Sequence, residues 1–174
     1  MHRLVFAFVL LFAVASVAQE DPAQDRGPST RAERDRAVKV THELEENPLS
    51  PQLRADKEWL FKWIVAVPDI TVNVCVDPVE GSGRYRYSRE LQLQKMFSSA
   101  SFIIENSSQK HDDLAVEMAG VEGALRAYQA IVKKNPNEHS LYWDKLLKKQ
   151  ADGTLHDYVT NYMEQACGSE QTQT

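Results

Sequence analysis

The stretch DDLAVEMAGVEGALRAYQAIVKK, residues 112–134, decides the fold. Leu114, Met118, Val121, Leu125, Tyr128 and Val132 step by four, three, four, three and four, the spacing of a packed helical seam. Asp112 and Asp113 fall in the first turn, where the helix dipole favours negative charge, and Lys133 and Lys134 fall in the last, where it favours cations. Asn135-Pro136 closes the segment. Gly120 and Gly123 each cost about 1 kcal/mol of helix propensity relative to alanine. The compensating gain is the close approach of a second helix.

Working outward toward the N-terminus, Ser88 caps a helix running to about Asn106, with Leu93, Met96, Phe97, Ala100 and Ile104 on one face. Its small run Ser98-Ser99-Ala100-Ser101 admits a close neighbour, and Asn106 to Lys110 breaks it. Before it lies DPVEGSGRYRY, residues 77–87, the longest internal loop signal. From Ile70 to Val76 apolar and polar residues alternate with β-branched ones, a strand-like pattern without a second segment of equal quality to pair with. An extended or irregular buried connection is expected there, tied down by Cys75, with a helical continuation as the alternative. Ser50-Pro51 has the form of an N-cap and first helical position. The helix that follows carries Leu53, Trp59, Leu60, Phe61, Trp63, Ile64 and Val65 nearly all round, which predicts a place in the middle of the fold. Thr30-Arg31-Ala32-Glu33 has capping-box form. It opens a helix with a thin stripe of Ala37, Val40 and Leu44, ended by Asn47-Pro48, whose many charges predict a peripheral position.

Toward the C-terminus, Ser140 caps a short helix holding Leu141, Trp143, Leu146 and Leu147, stopped by Asp152-Gly153. A last helix turns Leu155, Val159, Tyr162, Met163 and Ala166 inward and ends at Cys167-Gly168. The fold class is therefore mostly α: a bundle of about six helices with one short extended or irregular segment near Ile70 to Val76. It forms a single domain over residues 30–168, followed by a disordered polar tail at 169–174. Composition agrees. The 174 residues are 43% hydrophobic with seven glycines and seven prolines, enough apolar content for a core and fewer turn formers than a sheet-rich fold uses. Twenty Lys and Arg against 25 Asp and Glu argue against a protein built to neutralise nucleic-acid phosphates.

Residues 1–18 read as a signal peptide. Met1-His2-Arg3 is a basic start, Leu4 to Val14 is an unbroken apolar run, and Ser16 and Ala18 fit a signal-peptidase site. The run is shorter than the about 20 residues that span a bilayer; an uncleaved anchor is the alternative. Residues 19–29 form a flexible polar leader. The expected location is the periplasm or the extracellular space, with the membrane met only through the cleaved signal peptide. There Cys75 and Cys167 allow one intramolecular disulfide, worth about 4–5 kcal/mol on the chain-entropy model. One or two free buried thiols are the alternative.

Catalytic signatures are sparse. No H-x-x-x-H or H-E-x-x-H pair occurs, so no zinc site is encoded locally, and neither a metal nor a cofactor is expected. His42 among Glu43, Glu45 and Glu46 reads as a solvated acidic helix face. His111-Asp112-Asp113 lacks the partners of a metal phosphohydrolase. Ser107 and Lys110 have S-x-x-K spacing but lie at a polar break between helices, without S-D-N or K-T-G companions. Gly81-Ser82-Gly83 lacks the lysine and preceding strand of a phosphate loop. Asn106-Ser107-Ser108 is a glycosylation sequon for a eukaryotic host. The clearest candidate interaction patch is Arg84, Tyr85, Arg86, Tyr87 and Arg89, since mixed guanidinium and phenol groups make contact surfaces for acidic partners or glycans. Pairing of these arginines with surface carboxylates is the plainer reading.

Ala124-Leu125-Arg126-Ala127-Tyr128-Gln129-Ala130-Ile131, with Asn135-Pro136-Asn137 and Leu141-Tyr142, resembles the join between two tetratricopeptide repeats. Ala130 to Pro136 is one residue longer than that family's interval, and no second copy lies 34 residues away. In outline, a signal peptide, a small helical domain and one cysteine pair are similar to the small acid-stress chaperones of the cell envelope. The expected function is a non-catalytic binding or chaperone-like module, whose partner is another envelope or extracellular protein. The alternatives are a tetratricopeptide-like interaction scaffold, or an enzyme whose groups converge only in space, drawn from Glu105, Ser107, His111 and Asp112.

Overall fold

The computed structural model of the chain describes residues 26–73 and 85–166. Six α-helices lie among the described residues: α1 (Arg31–Glu46), α2 (Arg54–Ala66), α3 (Ser88–Glu105), α4 (Asp113–Lys134), α5 (Leu141–Ala151) and α6 (Leu155–Ala166). The protein is mostly α, as the sequence predicts, and no strand forms among the described residues. The expected signal peptide, both cysteines, Arg84, the glycine pair at 81 and 83, residues 74–76 and the expected polar tail lie outside the described residues.

Local rules set most boundaries. Thr30 and Glu33 complete a capping box: Thr30 Oγ1 accepts from the Glu33 backbone N–H at 3.2 Å, and the Glu33 carboxylate accepts from the Thr30 N–H at 2.8 Å. Asp112 caps α4 by accepting from the Ala115 N–H at 3.0 Å. Gly153 stops α5 in the left-handed region, with φ of 72°, where a side chain would be strained. Three expected caps do not form. Ser88 is the first residue of α3 rather than its cap, and its hydroxyl donates to the Tyr85 carbonyl at 2.6 Å. Ser50 bonds the Gln52 side chain instead of a backbone N–H, and a single 3-10 turn at Pro51–Leu53 leads into α2. Ser140 also makes no side-chain cap.

α3 and α4 are antiparallel neighbours and form the most extensive pairing, with α1 packed across both. One apolar cluster joins Ala37, Val40 and Leu44 of α1, Leu60, Trp63 and Ile64 of α2, and Phe97, Ala100 and Ile103 of α3. A second joins Val121, Leu125, Tyr128 and Ile131 of α4 with Trp143 of α5 and Val159 of α6. The expected ranks of α1 and α2 are thereby exchanged. α1 is not peripheral, because its narrow stripe is pressed against both central helices. α2 is not central: it buries only Leu60, Trp63 and Ile64, while Phe61 and Val65 are 43% and 68% exposed. Leu141, at the start of α5, is also exposed. On α3 the buried face is rotated from the expected one toward Leu91, Gln94, Ser98 and Ser101, with Leu93, Met96 and Ile104 only partly covered. After α2 the chain runs without helix from Ile70 to Asn73, burying Ile70 and half-burying Val72. This described part of the connection is irregular, as expected.

The α3–α4 approach is as close as the glycines and the small run predict. A Cβ at Gly120 would meet Ser99 Oγ at 2.3 Å, and one at Gly123 would meet Ser98 Oγ at 1.9 Å. No alanine fits at either position without movement of a helix. Ser99 Oγ donates to the Val116 carbonyl at 3.1 Å across the seam.

Candidate functional site

Polar side chains converge where α1, α3 and α4 meet. On α1, Thr41, His42 and Glu45 occupy neighbouring turns of one face. Gln94, Ser98, Ser101 and Glu105 do the same on α3, and Glu122 and Arg126 on α4. Gly123 completes the arrangement by omission. The position its Cβ would take lies 2.8 Å from Glu45 Oε1, so the bare backbone gives the carboxylate its socket.

Glu45 is the hub. Its side chain is 6% exposed and accepts from Ser98 Oγ at 2.7 Å, from Arg126 Nε at 2.7 Å and from Arg126 Nη2 at 2.8 Å. Gln94 Nε2 extends the network, donating to Ser98 Oγ at 3.0 Å and to the Thr41 carbonyl at 3.3 Å. Burial opposes ionisation of Glu45, but the hydrogen bonds from Arg126 and Ser98 and the guanidinium charge outweigh it and hold the carboxyl below its usual range. The hydrogen bonds to Glu45 push Arg126 further up. His42 stands between two carboxylates, Nδ1 at 3.4 Å from Glu45 and Nε2 at 3.6 Å from Glu105. The expectation of a solvated acidic face is corrected at Glu45. That carboxylate points into the bundle because it shares the inner stripe of α1 with Thr41 and Leu44, and an arginine waits for it there.

Two hollows open on either side of this hub. One, of about 470 Å³, has Glu105, Asp112 and Glu122 among its walls, Leu114 and Met118 among its apolar lining, and His156 of α6 beside it. The other, of about 880 Å³, runs toward Glu46, Gln129, Lys133 and Lys134. His42, Glu45 and Arg126 line both, so the two are arms of one groove.

The hub's own hydrogen bonds limit its chemistry. The Ser98 hydroxyl spends its proton on Glu45, and the Glu45 oxygens are occupied by donors, which makes the pair a poor nucleophile and base. Among the described residues, no group of three His, Cys, Asp or Glu side chains is placed to hold a metal ion.

Of the residues singled out from sequence, Glu105 and Asp112 line the smaller hollow, whereas Ser107 and His111 are exposed on the connection between α3 and α4 and do not. The Asn106 amide of the sequon donates to the Phe102 carbonyl at 3.1 Å, closing α3. The arginine–tyrosine patch is divided. Tyr85 is half-buried, donates to the Glu138 carbonyl at 3.0 Å and meets Tyr128 edge-on at 5.9 Å. Tyr87 packs on the second apolar cluster. Arg86 pairs with Glu138 at 3.1 Å and lies over the Tyr87 ring, and Arg89 is exposed. Sequence reasoning missed Glu45, Ser98, Arg126 and His156. A lone carboxylate on an apolar helix stripe was the signal available for Glu45.

No family model matches the chain, and neither does any curated protein or solved structure. No helix among the described residues is long and apolar enough to cross a membrane.

Proposed function

We propose that the protein is an exported, non-catalytic binding module whose ligand, another protein of the envelope or extracellular space, enters the groove between α1, α3 and α4. The observation that carries this reading is the internally satisfied Glu45–Arg126–Ser98 hub. It fixes the groove walls before any ligand arrives and leaves the rim charges facing outward, the preorganisation that lowers the cost of binding. Export rests on the basic start, apolar run and small residues of positions 1–18, and a Cys75–Cys167 disulfide follows from that compartment. Recovered from its own host, the mature protein should begin at Gln19 and gain the mass of two hydrogens on reduction.

The test of binding is capture from envelope extract by two baits, the natural mature chain and an Ala119→Trp variant, in which the indole fills the smaller hollow. Circular dichroism melting verifies that the variant folds. Partners held by the natural chain and lost with Ala119→Trp support the reading. Identical capture by both baits overturns it.

A further inference from the structure

The groove changes sign along its length. At one end Glu105, Asp112 and Glu122 stand around an apolar floor that includes Phe102, Leu114 and Met118. At the other, Lys133 and Lys134 face Glu46. Between them Arg126 and Glu45 cancel each other through two hydrogen bonds. The acidic arm keeps three carboxylates with no cation beyond the neutralised Arg126, apart from His42 and His156, and in the basic arm two lysines outnumber one glutamate. The span from Asp112 to Lys133 along α4 is about 32 Å at 1.5 Å per residue, the reach of about ten extended residues.

We infer that the groove takes a peptide segment of about ten residues with segregated charge: lysine or arginine at one end, apolar residues next to these cations, and carboxylates at the other end. This rests on the groove being the binding site and adds the kind of partner. The cationic end lies against Glu105, Asp112 and Glu122, the apolar residues cover Leu114 and Met118, and the acidic end meets Lys133 and Lys134. Opposite charges at the two arms set the orientation as well as the affinity, because the reversed peptide brings like charges together at both ends.

The experiment uses the full mature chain and fluorescently labelled decapeptides read by anisotropy. One is KKLAFLAAEE, capped at both ends. A second has the same residues with Lys and Glu alternating, and a third carries lysine at both ends. The segregated peptide should bind at least tenfold tighter than either control. Glu105→Lys/Glu122→Lys should lose that preference, and Lys133→Glu/Lys134→Glu should transfer it to the peptide with lysine at both ends, each variant being verified by melting. Equal binding of segregated and alternating peptides overturns the inference, as does tighter binding to the natural chain of the peptide with lysine at both ends. So does a dimer, seen by sedimentation at rising protein concentration, that the segregated peptide cannot dissociate. Ala119→Trp separates the two failures. Binding that is blocked by the tryptophan but blind to charge order sinks only the segregated-charge partner, whereas binding that ignores the tryptophan sinks the groove itself.

Discussion

The two faces of α4 are held by different physics. Toward α5 the contact is aromatic. Tyr128 stacks on Trp143 at 5.8 Å, Tyr142 meets Trp143 edge-on, and the Tyr128 hydroxyl donates to Asp144 at 2.7 Å. Burial and the Asp144 carboxylate push that phenol up to about 12, so it stays a donor at any physiological pH. Toward α3 the contact is made of absent side chains and buried charge: Gly120 and Gly123 against Ser99 and Ser98, and Lys95 Nζ paired with Glu117 at 2.6 Å, with both side chains at least nine-tenths buried. The aromatic face is a local clasp of large rings. The glycine face is the more extensive contact and brings two backbones close enough for polar groups to meet, and the groove is built there.

The largest effect expected is on the aromatic side. Trp143→Ala should cost about 4 kcal/mol of unfolding free energy by urea titration, the usual range for a fully buried tryptophan. A loss below about 1.5 kcal/mol would mean that the stacked rings are redundant and the contrast is false. On the other side Lys95→Met should cost about 3 kcal/mol, since it strands Glu117 in the interior. Adding Glu117→Met should restore most of the loss, because two packed apolar side chains need no solvation. A single variant as destabilised as the double would place the cost in packing rather than charge. Gly123→Ala should cost about 2 kcal/mol through overpacking. Exchanging the residues, Ser98→Gly with Gly123→Ala, moves the Cβ to the other helix and should recover part of it. If the exchange is no better than Gly123→Ala alone, steric contact is not the cause.

The same contrast explains what could be read in advance. Val121, Leu125 and Tyr128 sit fully buried where the seven-residue spacing puts them, because hydrophobic periodicity reports which way a helix faces. The glycines of α4 and the small run of α3 announce a close approach, and they meet each other. The ranks of α1 and α2 were misjudged for one reason. Total apolar content measures how much a helix can bury, whereas position depends on what the neighbours offer, and α1 meets both central helices while α2 leaves Phe61 and Val65 in solvent. The groove was half legible. Glu105 and Asp112 flank a visible break in the chain. Glu45 and Arg126 lie 81 positions apart, and neither residue type nor local spacing says that they touch.

The smallest expected effect tests whether the glycine face owes its stability to the charges it shelters. Glu45→Gln keeps the shape and removes the charge, so at neutral pH it should cost about 1 kcal/mol, at the low end for hydrogen bonds to an ion because Arg126 is half in solvent. Its pH dependence separates charge from shape. The folded carboxyl lies below its ordinary value, so it contributes stability above the unfolded carboxylate range, about pH 4.3. That contribution fades as the pH falls through the lower folded value, where both states are protonated. Urea titrations of the natural chain and of Glu45→Gln should therefore differ at pH 7 and converge as the pH falls below the ordinary carboxylate range. A gap that persists undiminished in acid would assign the loss to the altered fit of the amide against Arg126. The socket at Gly123 would then matter for its shape alone.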